Sequence, residues 1–468
     1  MKRDDLIHAI GDIDDDLILR ADETQKRKRA LRGWKKWGTV AACFVLIAAI
    51  LFPIGVRIAK RNATVSISGD SKTVELLGDF ETVDLMNGIV PRQRSGSPAP
   101  ITDDAATAAT DFALRLFREA YDGKNTLISP LSAMLALAMT ANGAKGDTLA
   151  QMESAFGTSL DELNEFFYSY RAGLTQTEKS KLTLANSIWL RGDYDVLPAF
   201  LQTNADYYGA DAFRAAFDEE TVGEINEWVN EKTDGMIPEL LDGISRDTVL
   251  YLINALAFDA EWDHPFSSSA TKSGKFTKEN GKEVNVDYMN GKEIGRCYLS
   301  NDQAQGIFKY YAGGKYAFVA LLPNEDVSLS DFVASLDGES LRSLLTKPWG
   351  GVEVNVTLPK FEVKYTVDLS AAVKRMGMTS AFDYDADFSG ITTMPEGVYV
   401  GSILQKTFLS MNEKGTRAGA ATALEMKALS VDPPKQMTVR FTRPFVYMLV
   451  DTRNYLPLFI GTLNDPKK

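Results

Sequence analysis

Cysteine and histidine are nearly absent from this sequence. Its 468 residues include 2 cysteines, Cys43 and Cys297, and 2 histidines, His8 and His264. Two cysteines far apart in the chain build neither a disulfide framework nor a thiolate metal cage, so we expect no metal and no cofactor. A Ser-His-Asp hydrolase would have to use His264, because His8 stands among the first residues. The sequence therefore does not favour an enzyme.

A positive net charge is missing as well. Lysine and arginine number 51 against 63 aspartate and glutamate residues, which gives a net charge of −12 and an isoelectric point of about 5.0. Nucleic-acid binding relies on basic side chains that neutralise phosphates, so nucleic acid is not an expected partner. Apolar residues, by contrast, make up 45% of the chain. A chain of this length and composition can bury one large core, and burial must hold the fold together.

One long uncharged segment lies near the N-terminus. Residues 37–56, WGTVAACFVLIAAILFPIGV, contain no charged side chain, and twenty residues at the helical rise span about 30 Å, the hydrocarbon thickness of a bilayer. Seven basic residues lie between positions 26 and 36, whereas three follow the segment within a few residues. The positive-inside rule then places the N-terminus in the cytoplasm. A cleaved signal peptide is the alternative, but its N-terminal region would be unusually long.

These features predict a single-pass membrane protein in four parts. They are a cytoplasmic tail (1–36), a transmembrane helix (37–56), an extracellular tether (57–103) and a large extracellular domain (104–468). The stretch PRQRSGSPAP is rich in Pro, Ser and Gly, which is typical of a linker and favours the tether.

The predicted domain mixes helices and strands without regular alternation. TDFALRLFREAY places apolar residues on one helical stripe, and SPLSAMLALAMTANGA begins with Ser and Pro as helices often do. VLYLINALAF, VEVNVTLPKF and PFVYMLVD are typical of strands, and the valines of the second alternate with polar residues. The predicted fold class is therefore α+β.

Eight segments occur in the order that one known family shows. They are NTLISPLSAMLALAMTANGAKGDT, NEWVNEKTDGMIPELL, LINALAFDAEWDHPF, LPKF, DLSAAVKRMGM, ADFSGI, PFVYMLVD and LPLFIGTLNDP. Together they resemble the serpin family of serine protease inhibitors, here as a membrane-anchored member of prokaryotic type. The resemblance implies a monomer with a large mixed central sheet, additional sheets, surrounding helices and an exposed reactive-centre loop. It assigns a sheet-opening region to Asn125, Ser129, Ser132, Asn254, Trp262, Gln405 and Lys406.

The segment Glu413–Ser430, EKGTRAGAATALEMKALS, is rich in Gly, Ala and Thr. As a helix it would mix apolar and charged residues on one face. As a strand it places the even-numbered residues 416–428, all uncharged, on one face, and Arg417, Glu425 and Lys427 on the other. A face without charge is fit for burial, and small side chains favour entry of the segment between packed strands.

In the family that the chain resembles, this segment is first a loop offered to a protease and then, once cleaved, a new central strand. The resemblance implies acyl-enzyme trapping and insertion of residues 415–428. Family spacing places the reactive bond at Leu429–Ser430, with Met426, Lys427 and Ala428 as alternatives before the cut. Leucine favours an elastase- or chymotrypsin-like extracellular serine protease, and lysine a trypsin-like one. The implied hinge residues are Glu413, Gly415, Thr416, Ala418, Gly419, Ala420, Ala421 and Thr422.

Two points qualify the inhibitor prediction. The alternative function is a non-inhibitory binding or sensing module of the same fold, tethered to the membrane. In addition, the family often has a histidine where Gln405 precedes Lys406. Glutamine does not change charge near neutrality, so sheet opening should lack a histidine-based pH dependence between about pH 5 and 8, which stopped-flow insertion rates can check.

Overall fold

The computed structural model describes residues 81–467, apart from residues 93, 95, 175–176, 193, 246–247, 395–396 and 417–433. Contacts divide the chain into two units between Glu75 and Leu76, and every described residue belongs to the second unit. The predicted transmembrane helix at residues 37–56 lies outside the described residues. Within them, no helix combines the length and the apolar character that crossing a bilayer requires.

Strands form three sheets in the described residues. They are β1 (Val83–Asp84), β2 (Thr126–Ile128), β3 (Ser180–Arg191), β4 (Asp211–Ala215), β5 (Leu250–Glu261), β6 (Lys272–Thr277), β7 (Glu283–Gly295), β8 (Tyr298–Ser300), β9 (Ala304–Tyr310), β10 (Tyr316–Pro323), β11 (Val352–Pro359), β12 (Phe361–Asp368), β13 (Leu404–Asn412), β14 (Gly415–Thr416), β15 (Lys435–Arg440), β16 (Phe445–Asp451) and β17 (Leu456–Leu463).

The central sheet has seven strands in the order β1-β4-β3-β5-β14-β13-β12. It is mixed, because β3 and β4 are parallel whereas the other neighbours are antiparallel. A six-stranded sheet has the order β2-β17-β16-β10-β9-β8, and a four-stranded sheet has the order β15-β11-β7-β6. Every residue of β10, β16 and β17 is buried, as expected for strands covered on both faces. The predicted α+β class with a large mixed sheet is confirmed.

Helices surround the sheets in the described part of the chain. They are α1 (Asp103–Ala120), α2 (Pro130–Ala141), α3 (Gly146–Phe156), α4 (Leu160–Ala172), α5 (Pro198–Tyr208), α6 (Glu219–Lys232), α7 (Leu329–Ser335), α8 (Gly338–Thr346) and α9 (Ser370–Arg375), with 3₁₀ turns at Ser268–Ala270 and Ser380–Phe382. Capping explains several of the starts: Thr102 accepts the Ala105 N–H at α1, and Ser159 and Glu162 form a capping box at α4.

The central sheet separates two hydrophobic clusters. The larger cluster includes α2, whose residues are all buried, and the six-stranded sheet. The smaller cluster lies between α6 and the opposite face of β3 and β5, where Trp189, Ile253 and Trp228 pack together. Because strand side chains alternate between faces, Leu256 and Phe258 of β5 belong to the larger cluster and Tyr251 and Ala255 to the smaller one.

Within the predicted tether, described residues between 81 and 101 pack against the domain. β1 pairs with the edge strand β4, and the Leu85 N–H donates to the Ala212 carbonyl. Arg94 binds Glu165 at 2.7 and 2.8 Å, and its guanidinium lies 4.4 Å from the Tyr168 ring and 4.5 Å from the Tyr207 ring. Two aromatic faces and one carboxylate therefore hold this guanidinium in place.

Replacing Arg94 with alanine removes the ion pair and both ring contacts. We expect the free energy of unfolding to fall by about 1–2 kcal/mol and residues 81–101 to become protease-sensitive. Arg92→Ala is the matched control, because the Arg92 side chain is 75% exposed and lies 3.6 Å from Asp206. It should change stability by less than about 0.5 kcal/mol. Equal effects in urea unfolding and limited proteolysis would contradict the assigned role of Arg94.

Candidate functional site

The predicted hinge begins as a two-residue strand in the middle of the central sheet. In β14, Gly415 pairs with Glu261 and Thr416 pairs with Ala260 of β5. On its other side, β14 pairs with the last two residues of β13. Among the described residues no ladder joins β5 directly to β13, and β14 is the strand that lies between them. Of the Gly- and Ala-rich segment, Gly415 and Thr416 thus have strand conformation in the structure.

Glycine is the one residue type that position 415 accepts. A Cβ atom built on Gly415 would lie 2.0 Å from the Ala260 carbonyl oxygen and 2.9 Å from the Glu261 Cα. Backbone atoms cannot move aside as a flexible side chain can, so any other residue would force β14 away from β5. The close approach of the two backbones therefore depends on this glycine.

Thr416 is buried and anchored by its hydroxyl group. Its side chain is 2% exposed, and its Oγ1 lies 2.5 Å from the Tyr311 hydroxyl. Burial raises the pKa of Tyr311, so its hydroxyl remains protonated and available for this hydrogen bond. The Tyr311 ring stacks on Trp262 with centroids 4.4 Å apart and planes 13° apart. Thr416, the first inward-facing residue of the hinge, is thus hydrogen-bonded to a tyrosine that is itself held by stacking on Trp262.

Trp262 and the residues after it hold the backbone that leads into β14. The Trp262 indole N–H donates to the Asn412 carbonyl at 3.0 Å, and the Trp262 backbone N–H donates to the Lys414 carbonyl at 2.8 Å. The Phe266 N–H donates to the Glu413 carbonyl at 2.9 Å. Three successive carbonyl groups are therefore fixed before the hinge begins.

A buried lysine, Lys309, contacts the rings of Trp262 and Phe266. Lys309 is 1% exposed and forms an ion pair with Glu293. Its ammonium also donates to the His264 carbonyl at 2.7 Å and lies 4.5 Å from the Phe266 ring and 5.2 Å from the Trp262 ring. A buried charge with a carboxylate, a carbonyl and two ring faces around it is well compensated.

Glu413 closes the site from the side of β12. Its carboxylate lies 3.0 Å from the Lys360 ammonium and accepts from the Thr271 hydroxyl at 2.8 Å. Burial opposes ionisation of this carboxylate, but hydrogen bonds from Lys360 and Thr271 outweigh that effect, so the pKa of Glu413 is lowered. The residue that begins the hinge segment is therefore tied to the residues that immediately precede β12 and β6.

Two predicted sheet-opening residues meet beneath β13. The Ser129 N–H donates to Gln405 Oε1 at 2.8 Å, and Gln405 Nε2 donates to the Ser129 carbonyl at 2.9 Å. The Ser129 hydroxyl donates to the Leu458 carbonyl at 2.8 Å. Nearby, Thr407 Oγ1 donates to the Leu127 carbonyl at 2.7 Å. The buried side of β13 is thus hydrogen-bonded to the start of α2 through side-chain amide and hydroxyl groups.

The other predicted residues lie elsewhere. Asn125 binds the backbone of residues 464–465, because its Nδ2 donates to the Asp465 carbonyl and its Oδ1 accepts two N–H groups. Ser132 is buried in α2, and Asn254 pairs with Asn186 through the backbone of β5. Lys406 is the neighbour of Gln405 on β13 and belongs to its opposite face. The predicted hinge residues Ala418, Gly419, Ala420, Ala421 and Thr422 and the reactive bond Leu429–Ser430 lie outside the described residues.

Three residues that contact the hinge directly were not predicted from the sequence: Lys360, Tyr311 and Thr271. Each reaches the hinge from a distant part of the chain, and Tyr311 and Thr416 are 105 residues apart.

His264, which a Ser-His-Asp hydrolase would have to use, does not belong to such a triad among the described residues. His264 is 70% exposed beside Asp263 at 3.2 Å, and no serine hydroxyl is hydrogen-bonded to it among the described residues.

Comparisons with known proteins show which family this chain resembles. The family model described as Serpin (serine protease inhibitor) matches residues 107–466. The leukocyte elastase inhibitor of Sus scrofa is 32% identical over 382 residues, covering 78% of this chain and 100% of that protein. The leukocyte elastase inhibitor of Homo sapiens is 31% identical over 383 residues, with the same coverage. The matching family consists of protease inhibitors and not of enzymes.

Solved structures show the same fold. The thermophilic serpin Tengpin in its native state superposes with a TM-score of 0.77 at 41% identity, covering 82% of this chain and 100% of that chain. Tengpin in its latent state gives a TM-score of 0.69 at 40% identity, covering 78% and 99%. The three sheets and their helices are therefore those of the serpin fold.

The Glu413 carboxylate should make stability depend on acid. Because its pKa in the folded chain is lowered, its contribution is complete above the unfolded value of about 4.3 and is lost as the pH falls through the folded value. Glu413→Gln should cost about 2 kcal/mol at pH 7, and this difference from the parent should shrink below about pH 4. Glu362→Gln, an exposed carboxylate on β12, is the control in urea unfolding. A cost independent of pH would contradict the assignment.

The hydroxyl pair between Tyr311 and Thr416 should show energetic coupling. Tyr311→Phe leaves a buried hydroxyl without its partner, and Thr416→Val does the same to the tyrosine, so each should cost about 1–2 kcal/mol. The double variant removes both groups together and should cost less than the sum by about 1 kcal/mol. Additive effects in a double-mutant cycle of urea unfolding would show that the two hydroxyls do not interact.

Proposed function

The chain belongs to the serpin family, and we propose that it inhibits an extracellular serine protease as a suicide substrate. The protease would cleave the segment after β14, and residues 415–428, of which Gly415 and Thr416 already form β14, would then make up one full strand of the central sheet. Membership of a family of protease inhibitors supports the general activity. The position of β14 supports the mechanism.

The observation that carries the proposal is that β14 already lies between β5 and β13. Its two neighbours are parallel to each other, because each is antiparallel to β14. A strand that continues β14 would run antiparallel to both and would form antiparallel ladders on its two sides. Backbone N–H and C=O groups along the side of a strand are the usual template to which a further strand is added.

The register of β14 fixes which residues would meet. Continued along β5, it sets Ala418 opposite Phe258 and Ala420 opposite Leu256. Continued along β13, it sets the same two alanines opposite Leu409 and Thr407, which are both buried. The even-numbered residues would therefore face the larger hydrophobic cluster, as Thr416 does. Small side chains suit this position because the cluster is already packed.

The free energy of insertion would come from the new ladder. About a dozen residues that each gain a net hydrogen bond of roughly 1 kcal/mol, together with apolar burial, yield on the order of 10 kcal/mol. This is comparable to the stability of a whole domain. Cleavage releases this free energy because the segment is no longer held at both ends.

The covalent chemistry belongs to the protease. Its serine attacks the carbonyl of the reactive bond, forms an acyl-enzyme and releases the new amino terminus. Insertion faster than hydrolysis would carry the acyl-enzyme along the sheet and distort its site. We propose Leu429–Ser430 as the bond, which fits the apolar pocket of an elastase- or chymotrypsin-like protease. The names of the Sus scrofa and Homo sapiens relatives as leukocyte elastase inhibitors favour this class.

Moving one arginine by one residue tests the mechanism. In the proposed strand Arg417 would belong to the outward-facing, odd-numbered set, and its neighbour Ala418 to the inward-facing, even-numbered set. In the variant Arg417→Ala/Ala418→Arg the same charge would have to enter the core, which costs several kcal/mol for an unpaired charge. We expect the stoichiometry of inhibition to rise by roughly tenfold or more, because hydrolysis overtakes insertion. Arg417→Ala alone is the control and should behave as the parent.

Covalent complexes that resist denaturant should form when the parent is incubated with elastase, chymotrypsin or trypsin. Mass spectrometry of the released C-terminal peptide should find Ser430 as its first residue. Clean nicking without a complex, or no reaction with any of these enzymes, would favour the binding or sensing module instead. Equal efficiency of the arginine-shifted variant and the parent would contradict insertion in this register.

We also propose that residues 37–56 anchor the chain in a membrane, with the inhibitory domain outside. The support is the uncharged length of this segment and the basic residues before it. The full chain should stay with the membrane pellet after alkaline carbonate extraction, whereas a variant lacking residues 37–56 should be released. Release of the full chain would contradict an anchor.

A further inference from the structure

Exposed apolar side chains occur beside the point where the chain returns from the proposed loop to the domain. Ile294 of β7 is 64% exposed, and Trp349, just before β11, is 47% exposed. Both lie along one ladder, because Ile294 is opposite Glu353 and Tyr298 is opposite Trp349 in the same antiparallel register. The strand that follows the loop, β15, is the other neighbour of β11. These side chains thus lie near the strand at which the chain returns from the loop.

Trp349 is held in place although half of it is exposed. The backbone N–H of Trp349 donates to the Tyr298 carbonyl at 2.8 Å, and the Tyr298 ring contacts the indole edge to face, with centroids 5.7 Å apart and planes at 83°. The ammonium of Lys435, the first residue of β15, lies 5.5 Å from the indole ring. A fixed aromatic ring loses little conformational entropy when a partner covers it, which is why tryptophan is frequent among binding hot spots.

Two cations accompany these apolar groups. Arg296 is exposed, and a Cβ built on Gly350, next to Trp349, would lie 3.5 Å from the Arg296 Cγ. Among the described residues neither Arg296 nor Lys435 forms an ion pair, whereas nearby Lys292 is paired with Glu353 at 2.6 Å. We call Ile294, Arg296, Trp349 and Lys435 the exit patch. Its positive charge contrasts with a net charge of −12 for the chain.

A protease on the loop would have to cover this patch. Lys435 is five positions after Ser430, and five fully extended Cα-to-Cα steps span at most about 18 Å. A protease of about 240 residues has a radius of gyration of about 18 Å. This equals the greatest distance that the chain allows between the reactive bond and Lys435, so a bound protease would extend over the patch. Because the patch follows the reactive bond, it would meet the leaving-group side of the protease cleft.

From these observations, and resting on the proposed inhibitory function, we propose that the exit patch is a second docking surface for the target protease. It fits a rim that carries acidic side chains next to an apolar area, on the leaving-group side of the cleft. Charge at such a rim mainly accelerates encounter, and the indole mainly slows dissociation before insertion. The patch would thereby select among proteases that accept the same residue at the reactive bond.

The test is the association rate constant of the full chain with whichever of elastase, chymotrypsin and trypsin it inhibits fastest. Trp349→Ala and the double variant Arg296→Glu/Lys435→Glu should each lower this rate constant about tenfold, with an unchanged stoichiometry of inhibition. The parent rate should fall as salt is added, and the double variant should lose this dependence. The double variant alters exposed side chains only and guards against a folding defect in Trp349→Ala.

Tyr384→Ala is the matched control, since Tyr384 is 86% exposed and lies between the end of β12 and the start of β13, at the sheet end opposite Asn412. Equal rate constants for all variants would overturn the docking surface while leaving inhibition intact. Absence of complexes with the parent would instead overturn the proposed function. Concentration-dependent dimers of the parent that Trp349→Ala abolishes, without a change in rate, would assign the patch to a second copy and contradict the proposal.

Discussion

The backbone ladder between β14 and its two neighbours is the constraint on which the rest of the site depends. Gly415 lets the backbone approach β5, because a side chain there would collide with the Ala260 carbonyl. Thr416 then directs its hydroxyl to Tyr311 beneath the sheet. Once these two residues are placed, direction, register and facing of any continuation follow from strand geometry alone.

Several independent interactions hold that starting position. Glu413 is tied to Lys360, the carbonyl groups that precede β14 are bonded to Trp262 and Phe266, and Lys309 supports the aromatic rings. All of them lie at one end of the sheet. Gln405 and Ser129 bind each other further along β13, so the strands that would have to separate are secured at two levels. In the proposed mechanism these contacts determine how readily the sheet admits a strand.

Local pattern and family resemblance predicted different parts of this structure. The alternation in β11 is as expected, with Val352, Val354 and Val356 buried, and the Ser-Pro entry marks the start of α2. Resemblance alone brought Ser129 and Gln405 into one region, across 276 residues of sequence. The packing of β1 and Arg94 against the domain was not foreseen, because PRQRSGSPAP has the composition of a linker. Arg94 becomes structural only through Glu165, Tyr168 and Tyr207, which no local pattern connects to it.

The proposed mechanism depends on one central claim: the intact fold has a higher free energy than an arrangement that the loop can reach only after it is cut. Thermal unfolding of the intact chain and of the chain nicked within residues 417–433 tests it most directly. An extra central strand worth on the order of 10 kcal/mol should raise the melting temperature of the nicked chain by about 10 °C or more. A nicked chain that melts at or below the temperature of the intact chain would contradict the claim.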